Sequence, residues 1–287
     1  MQSIVVTGVS SGIGRACAEA FVGAGYRVFG SVRKQADADR LRQELGERFA
    51  PIFFDVTDES AIVAAAAQVR EAIGGEKLAG LVNNAGVAVP NPALVQTTED
   101  FRRQMEVNLI GPFAVTRAFA PLLGADKSLT GKPGRIVNIS SVGGKLGAPF
   151  LGAYSASKHG IEGWSESLRR ELKLYGIDVI IVGPGAVATP IWDKAEADFD
   201  QLEALKGGDW EGPATKMADF FIADGRKGLP PSAIAAVVRD AIEHPSPKTR
   251  YAVLRGKFAN WTLPMLLPKR WVDNILAARL GLKPGAG

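Results

Sequence analysis

The sequence is poor in the residues that form disulfides and metal centres. Its 287 residues include one cysteine, Cys17, and two histidines, His159 and His244. One cysteine excludes an intrachain disulfide and a cysteine-based metal cluster, and two histidines are too few for a histidine-rich site. We therefore expect no bound metal. A low cysteine content is typical of a reducing compartment such as the cytoplasm.

The sequence also lacks a strong excess of one charge and long apolar runs. Lysine and arginine number 34 against 30 aspartates and glutamates. The basic residues are scattered along the chain, which argues against a nucleic-acid partner. No stretch approaches the apolar length of a spanning helix, and the first residues leave no room for a secretion signal. We expect a cytoplasmic protein without a transmembrane segment.

The apolar residues that are present follow a clear pattern. They make up 46% of the chain, and short β-branched runs alternate with segments of helical periodicity. The predicted strands are residues 3–7, 27–32, 52–54, 80–82, 135–139, 178–182 and 251–254, and the predicted helical segments are residues 12–23, 59–73, 101–123, 153–175 and 232–243. This alternation predicts a single α/β domain over residues 1–287, a Rossmann-type doubly wound parallel sheet.

Two segments lie outside the alternation. Residues 191–231 are long for a connection and rich in tryptophan and phenylalanine, which indicates a lid-like insertion over a substrate. Residues 257–282 are apolar, with breaks at Pro264 and Pro268, and predict a C-terminal helical extension. Three positions for this extension remain open: against its own domain, against a partner subunit, or on a membrane surface as a peripheral contact.

A glycine-rich turn follows the first predicted strand and opens a helix. It carries Thr7, Gly8, Ser10, Ser11, Gly12, Ile13 and Gly14. Such a turn lets the backbone approach a pyrophosphate, whose charge the helix N-terminus stabilises. The spacing differs from the standard Gly-x-Gly-x-x-Gly fingerprint, but the physical logic is the same. A dinucleotide site is therefore expected here.

The end of the second predicted strand favours NADP(H) over NAD(H). An acidic residue that binds the adenosine ribose is expected about 20 residues after the turn. This position instead holds Arg33 and Lys34, which suit a 2′-phosphate. The alternative is that both simply face solvent at a strand end. Asp55, after the third strand, has two interpretations: it bonds the adenine edge, or it caps the helix that starts near Asp58.

A tyrosine and a lysine lie four residues apart in a predicted helix. Tyr154 and Lys158 therefore share one helix face, and the ammonium is expected to lower the pKa of the phenol towards the working pH. Ser141 follows the predicted strand 135–139, at the edge of the sheet where α/β proteins bind ligands. Its hydroxyl can polarise a carbonyl oxygen there, although a turn or helix-cap role is the simpler alternative.

These motifs together resemble the classical short-chain dehydrogenase/reductase (SDR) family. The resemblance rests on the glycine turn, on Asn83-Asn84-Ala85-Gly86, on Asn108 and Ser141, on Tyr154 with Lys158, and on Pro184-Gly185 with Thr189-Pro190. The general layout is similar to the steroid and retinoid dehydrogenase branch. The resemblance implies a catalytic tetrad: Tyr154 as acid/base, Lys158 lowering its pKa and binding the nicotinamide ribose, Ser141 orienting the carbonyl, and Asn108 supporting a proton-relay water.

The resemblance also completes the expected cofactor site and implies that Pro184, Gly185 and Thr189 flank the nicotinamide. The predicted cofactor-binding residues are Thr7, Gly8, Ser10, Ser11, Gly12, Ile13, Gly14, Arg33, Asp55, Val56, Asn84, Ala85, Gly86, Tyr154, Lys158, Pro184, Gly185, Val187 and Thr189. Some relatives carry a basic residue where this chain has Ser11, so the preference for NADP(H) rests mainly on Arg33.

The sequence thus predicts an NADP(H)-dependent oxidoreductase that interconverts a ketone or aldehyde and an alcohol. The apolar insertion and extension point to a bulky lipophilic substrate. Two alternatives remain, a 3-oxoacyl thioester reductase of lipid synthesis and a regulator that senses NADP without turnover. Family resemblance also implies a homodimer or homotetramer, formed through the helices at residues 101–123 and 153–175.

Overall fold

The computed structural model describes residues 1–189 and 205–282, and these form a seven-stranded parallel sheet in the order β3-β2-β1-β4-β5-β6-β7. Strands β1 to β7 are Ser3–Val6, Arg27–Val32, Phe49–Phe53, Gly80–Asn83, Arg135–Ile139, Asp178–Pro184 and Arg250–Val253. In register, Ile4 of β1 pairs with Val28 on one side and with Gly80 on the other. The strand order reverses between β1 and β4, where such sheets leave a crevice at their carboxyl ends. The doubly wound fold is confirmed.

Helices connect the strands and cover both faces of the sheet. In the described ranges they are Gly12–Gly23 (α1), Gln35–Leu45 (α2), Glu59–Ala72 (α3), Thr98–Met105 (α4), Gly111–Ala120 (α5), Gly152–Glu171 (α6), Glu211–Arg226 (α7), Pro231–Glu243 (α8), Leu263–Leu266 (α9) and Lys269–Leu280 (α10). The sequence analysis missed α2. This helix buries only Ala38 and Leu41, so its apolar periodicity is too weak to see in a mostly charged segment.

The core has two layers because the strands are apolar on both sides. Ile4 and Val6 pack with α1, α2 and α8 on one face, and Val5 packs with α3 and α5 on the other. Continuous apolar strands of this kind are typical of a parallel sheet buried between helices. Cys17 of α1 lies in the first layer, where burial raises the pKa of its thiol to about 12. The thiol is therefore unreactive at neutral pH.

One composite helix corrects an expectation from the sequence. Thr98–Ala125 is 28 residues long and contains an 18-residue apolar window with a mean hydropathy of 1.3, so it has the length and composition of a spanning helix. The expectation that no stretch reaches such a length is wrong. The helix is 56% buried within the protein over that apolar window, and Val115 and Phe119 lie in the core. A buried core helix is apolar for the same reason as a spanning one, namely contact with apolar surroundings.

A third, smaller cluster joins the insertion to the C-terminal extension. Leu205, Met217 of α7 and Leu280 of α10 are buried there together with Phe150. The extension thus packs partly on its own domain, the first of the three positions considered. Residues 191–204 of the predicted insertion lie outside the described residues, and its role as a lid stays a prediction.

Candidate active site

The glycine turn between β1 and α1 has a backbone that only glycine allows. Gly8 and Gly12 have φ values of +70° and +59°, in the left-handed region that other residues rarely adopt. At Gly14 a Cβ atom would overlap the carbonyl oxygen of Gly8 and the Asn84 side chain. The turn therefore packs closely against Asn84, which follows β4. The amides at the start of α1 lie at the carboxyl edge of the sheet.

Side chains from two further strands fix the turn in place. The Thr7 hydroxyl oxygen accepts hydrogen bonds from the backbone amides of Asn84 (2.9 Å) and Ala85 (3.0 Å). Asn84 Nδ2 donates in return to the Thr7 and Gly8 carbonyl oxygens, at 2.9 and 3.2 Å. The Gly8 amide donates to Ser31 Oγ of β2 at 2.9 Å. Thr7, Gly8, Asn84 and Ala85 therefore converge as predicted, and Ser31 joins them although the sequence gave no sign of it.

Arg33 and Asp55 meet at the end of β2. Arg33 Nη1 donates to Asp55 Oδ2 at 3.1 Å, and Arg33 is 72% exposed at its side chain. Burial acts to raise the pKa of Asp55, but hydrogen bonds from Thr57 and Arg33 outweigh it, so this pKa lies below its usual value. Asp58 rather than Asp55 caps α3, because its side chain accepts the Ala61 amide. The cap interpretation of Asp55 is therefore wrong, and its contact with adenine stays a prediction.

Arg40 is a second cation at the turn, and the sequence analysis did not identify it. Its Nη2 donates to the Ser10 carbonyl oxygen at 2.9 Å and to Asp37 at 3.1 Å. Arg40 is held at the turn by α2, the helix that sequence periodicity did not predict. Its role in fixing Ser10 could be recognised only once α2 was placed beside the turn.

Tyr154, Lys158 and Ser141 converge at the carboxyl edge of the sheet. Lys158 Nζ lies 5.7 Å from the centre of the Tyr154 ring and donates to the Ile139 carbonyl oxygen at 2.9 Å. Ser141 Oγ accepts the Gly143 amide at 3.0 Å. A Cβ atom on Gly143 would lie 3.3 Å from the Tyr154 ring and 3.4 Å from Ser141 Oγ. The serine and the tyrosine therefore border the same small space.

Burial dominates the protonation of this pair. It raises the pKa of the Tyr154 phenol, and the hydrogen bond with Ser141 opposes it without cancelling it. Burial also lowers the pKa of Lys158 to about 8, and the negative charge of Glu162 opposes that change. The sequence predicted that Lys158 would lower the pKa of Tyr154. In the described structure the phenol's own loss of hydration outweighs the opposing hydrogen bond and raises its pKa; the effect of Lys158 on this pKa stays a prediction.

Asn108 lies in a π-helical turn, Glu106–Ile110, between α4 and α5. Its side chain accepts the Val87 amide at 2.8 Å and donates to the Val87 carbonyl at 2.8 Å and to Ser157 Oγ at 3.1 Å. Such turns are frequent at functional sites because they displace a side chain from the regular helical ladder. A Cβ on Gly86 would lie 3.1 Å from Asn108 Oδ1 and 3.7 Å from Lys158 Nζ. Asn108 and Gly86 thus lie beside the lysine.

The predicted nicotinamide side of the site lies after β6. Pro184 ends the strand, and the Gly185 amide donates to the Val253 carbonyl at 3.0 Å. Val187 is buried and is bridged to Leu229. Thr189 lies close to the glycine turn, because a Cβ on Gly12 would be 3.3 Å from its Cγ2. Of the remaining predicted cofactor residues, Ser11 directly precedes α1, Ile13 lies in its first turn, and Val56 is buried in the loop between β3 and α3. Pro190 falls outside the described residues.

Metal-binding side chains do not gather near these residues. Within residues 1–189 and 205–282, no group of three or more histidine, cysteine, aspartate or glutamate side chains is placed to hold an ion. The chemistry available to the described site is therefore that of a phenol, an ammonium, hydroxyls and backbone amides.

Comparison with known proteins decides the family. Residues 2–200 match the family model described as short chain dehydrogenase. The chain is a short-chain dehydrogenase. It is thus an oxidoreductase that acts on a carbonyl or alcohol group with NAD or NADP as cofactor.

Two relatives cover almost the whole of this short-chain dehydrogenase. It is 38% identical to the NADPH-dependent 3-dehydrocapnine reductase of Ornithobacterium rhinotracheale over 96% of each chain. It is also 32% identical to retinol dehydrogenase 16 of Homo sapiens, over 95% of this chain and 85% of that protein. The resemblance to the steroid and retinoid dehydrogenase branch is confirmed.

A solved structure agrees with the fold. The short chain dehydrogenase/reductase of Burkholderia phymatum, in complex with NAD, superposes with a TM-score of 0.77 at 26% identity, over 96% of this chain and 95% of that one.

Proposed function

We propose that the protein is an NADP(H)-dependent oxidoreductase that interconverts a ketone or aldehyde and an alcohol on a bulky lipophilic substrate. The observation that carries the proposal is the convergence of Ser141, Tyr154 and Lys158 at the sheet edge that also holds the glycine turn. A proton donor, a cation and a carbonyl-orienting hydroxyl then lie next to the predicted dinucleotide site formed by the glycine turn, here called the cradle.

The cradle fits a dinucleotide on the evidence of its own backbone. The close approach at Gly14 and the left-handed residues Gly8 and Gly12 leave the amides at the start of α1 free of side chains. These amides would bind the pyrophosphate, aided by the helix dipole. Thr189 is positioned near Gly12, on the side where the resemblance places the nicotinamide. When bound, the cofactor supplies or accepts the hydride.

The side chains supply the proton chemistry. In the reducing direction the Tyr154 phenol donates its proton to the substrate oxygen, and its raised pKa keeps it protonated at neutral pH. Ser141 donates a hydrogen bond to the same oxygen and so favours its developing negative charge. The Lys158 ammonium stabilises the phenolate that remains. Asn108, bonded on both sides to Val87, would support a water that resupplies the proton.

Arg33 supports NADP(H) over NAD(H). Its exposed guanidinium at the end of β2 can turn from Asp55 towards a 2′-phosphate, and guanidinium–phosphate hydrogen bonds are strong. The NADPH-dependent relative agrees with this choice, whereas the Burkholderia structure holds NAD. Arg33→Ala is expected to weaken NADPH binding about 10–100-fold and leave NADH binding unchanged. The matched control is Arg42→Ala, an exposed cation on α2.

The expectation of a lipophilic substrate is supported by the third apolar cluster, where Phe150 contacts Leu205, Met217 and Leu280. These buried residues connect the segment just before α6, which carries Tyr154, to the insertion and the extension, so apolar side chains lie close in sequence and space to the start of that helix. The retinol dehydrogenase relative is consistent with this substrate class.

We also propose a cytoplasmic homodimer or homotetramer. An apolar face, here called the α5–α6 face, consists of exposed Phe101, Ile110 and Phe113 and of half-buried Trp164. Phe101 lies on α4, Ile110 in the π-helical turn, Phe113 on α5 and Trp164 on α6, and Phe113 contacts Trp164 edge-on with the ring centres 6.2 Å apart. An exposed apolar patch on adjacent helices is typical of a surface that pairs with its copy.

The test measures oxidation of NADPH and NADH by the purified protein with ketones, aldehydes, steroids and acyl thioesters. The proposal expects NADPH oxidation with bulky apolar ketones or aldehydes and much slower use of NADH. Tyr154→Phe should lose at least about 100-fold in turnover while binding NADPH normally. Preference for acyl thioesters would favour the 3-oxoacyl reductase, NADPH binding without any turnover would favour the regulator, and an active Tyr154→Phe would refute the mechanism.

A further inference from the structure

A buried carboxylate lies directly behind the serine segment of the site. Glu162 of α6 is one helical turn beyond Lys158 and is only 1% exposed. Its carboxylate accepts the Ser140 hydroxyl at 2.8 Å and three hydrogen bonds from Arg250, from Nε at 3.0 and 2.9 Å and from Nη2 at 2.9 Å. Lys145 Nζ lies 3.5 Å away. The Glu162 carboxylate therefore contacts one hydroxyl, from Ser140, and two cations, Arg250 and Lys145.

Arg250 reaches this carboxylate from β7 and contacts the serine segment itself. Its Nη2 also donates to the Ser141 carbonyl oxygen at 3.3 Å. Gly183 on the adjacent strand makes room for it, because a Cβ there would lie 2.6 Å from Arg250 Nη2. On the outer side, Trp261 of the C-terminal extension covers the guanidinium at 4.5 Å from the ring centre. Arg250 therefore connects Ser141, Glu162 and the extension.

Stabilisation of the fold is by itself a weak explanation for the buried ion pair of Glu162 and Arg250. Burying two charges costs several kcal/mol of desolvation each, and apolar residues of similar volume often stabilise a core equally well. Here the pair holds the hydroxyl of Ser140 and the carbonyl of Ser141. It also places a negative charge one turn from the buried ammonium of Lys158. Both consequences bear on groups that the proposed mechanism uses.

We propose that Glu162 and Arg250 are positioning residues, which fix the Ser141 loop and place a carboxylate one helical turn from Lys158. The inference rests on the proposed function, because it acts through Ser141 and Lys158. Neither residue touches substrate or cofactor. Trp261 of the C-terminal extension covers the Arg250 guanidinium. The position of the extension therefore acts on Arg250 and, through it, on the Ser141 loop.

The charges around Lys158 determine whether loss of the Glu162 charge raises or lowers the pKa of Lys158. Tyr154 and Glu162 face it from its own helix, β5 contributes the Ile139 carbonyl, and Arg250 and Lys145 face Glu162. Burial lowers the pKa of Lys158 to about 8 while Glu162 opposes that change. Without the carboxylate the pKa of Lys158 falls further. The alkaline limb of activity, where Lys158 loses its proton, then moves to lower pH.

The test is Glu162→Gln, which keeps the shape and the hydrogen bond from Ser140 but removes the charge. The matched control is Glu166→Gln, one turn further along α6, where the side chain is 45% exposed and pairs with Arg170. We expect Glu162→Gln to lower kcat about 10–100-fold, to move the alkaline limb of the kcat profile to lower pH, and to leave the NADPH dissociation constant nearly unchanged. Glu166→Gln should behave as wild type.

A second variant covers the case in which Glu162→Gln does not fold. Arg250→Lys keeps the charge but loses the two-pronged contact and the bond to Ser141. It should lower kcat at least about threefold with the pH limb moved less than in Glu162→Gln. The inference is overturned if the folded variants lose thermal stability but keep the wild-type kcat and pH profile, which is the behaviour of a purely structural pair.

A different experimental result would refute the proposed function. If Tyr154→Phe retains turnover, the chemistry assigned to the site is wrong whatever Glu162 does. If Tyr154→Phe is inactive and Glu162→Gln matches Glu166→Gln, only the positioning role is wrong.

Discussion

At the scale of single residues, two positions of the site place strict demands on the residue that they hold. Lys158 carries its charge in a position that is 6% exposed, and Gly14 lies where no side chain fits. Each costs folding free energy and each serves the arrangement of cofactor and substrate, as is common at functional sites. Both costs can be measured.

Lys158 should make the free energy of unfolding depend on pH in a known direction. Its pKa is about 8 in the folded chain against an ordinary value of 10.5, so between these values the unfolded state binds more protons. Stability contributed by this group is therefore lowest below pH 8 and rises with pH through that window. Chemical denaturation from about pH 8 to about pH 9.5 should show wild type gaining stability relative to Lys158→Met. Parallel curves would contradict the lowered pKa.

Gly14→Ala should damage the cradle specifically. The new methyl group would overlap the Gly8 carbonyl and the Asn84 side chain, which forces the turn away from β4. We expect NADPH affinity to fall at least about tenfold and stability to fall by about 1–3 kcal/mol. Gly23→Ala is the control, since nothing lies within 4 Å of a Cβ there. Fluorescence titration with NADPH separates them, and equal affinities would show that the turn tolerates a side chain.

At the scale of elements, the helices differ in how much apolar surface holds them. Helix α8 buries Ile234, Ala235, Val238, Ala241 and Ile242 in the main core. The C-terminal helix α10 buries only Leu280 and exposes Trp271 and Ile275. An element with so few buried contacts opens at a lower free energy than the global unfolding of the protein. We therefore expect the extension to open more readily than α8.

Leu280→Ala should release α10 without unfolding the sheet. Leu280 is 3% exposed and packs in the cluster with Phe150 and Met217, so truncation removes about 2–4 kcal/mol of local packing. Hydrogen exchange should accelerate in α10 and remain slow in β1 and β5. Ile275→Ala, at an exposed position of the same helix, should leave exchange unchanged. Uniformly faster exchange across the sheet would mean that the extension is part of the main cooperative unit.

At the scale of the whole molecule, two exposed apolar surfaces compete as sites of self-association. One is the α5–α6 face, and the other is the outer side of the extension, where Leu266 is 75% exposed. The α5–α6 face lies on two long helices anchored in the core. It therefore needs less ordering on association than the weakly held extension does.

Phe113→Glu should accordingly weaken self-association at least about 30-fold, because a carboxylate would be desolvated at the centre of the face. Leu266→Glu should leave the association constant as in wild type. Sedimentation over a range of protein concentrations measures both. Dissociation by Leu266→Glu instead would place the interface on the extension, and a monomeric wild type would refute the proposed oligomer.

Local sequence patterns predicted the strands and part of the candidate site. Continuous apolar runs predicted all seven strands because a parallel sheet buries both faces of each strand. Tyr154 and Lys158 share a helix face because four residues make about one turn, and Ser141 follows a strand that ends at the ligand-binding edge of the sheet. Neither pattern is specific by itself, so these residues were recognised through the resemblance of all the motifs together to the SDR family.

Electrostatics and contacts between distant segments emerge only in the folded structure. The pKa of Tyr154 rises because the phenol is withdrawn from water, which spacing along a helix does not reveal. Glu162 meets Arg250 across 88 residues, and Arg40 reaches Ser10 from a helix too polar to predict. Burial and long-range pairing depend on how the elements pack together, and no periodicity within a single segment encodes that.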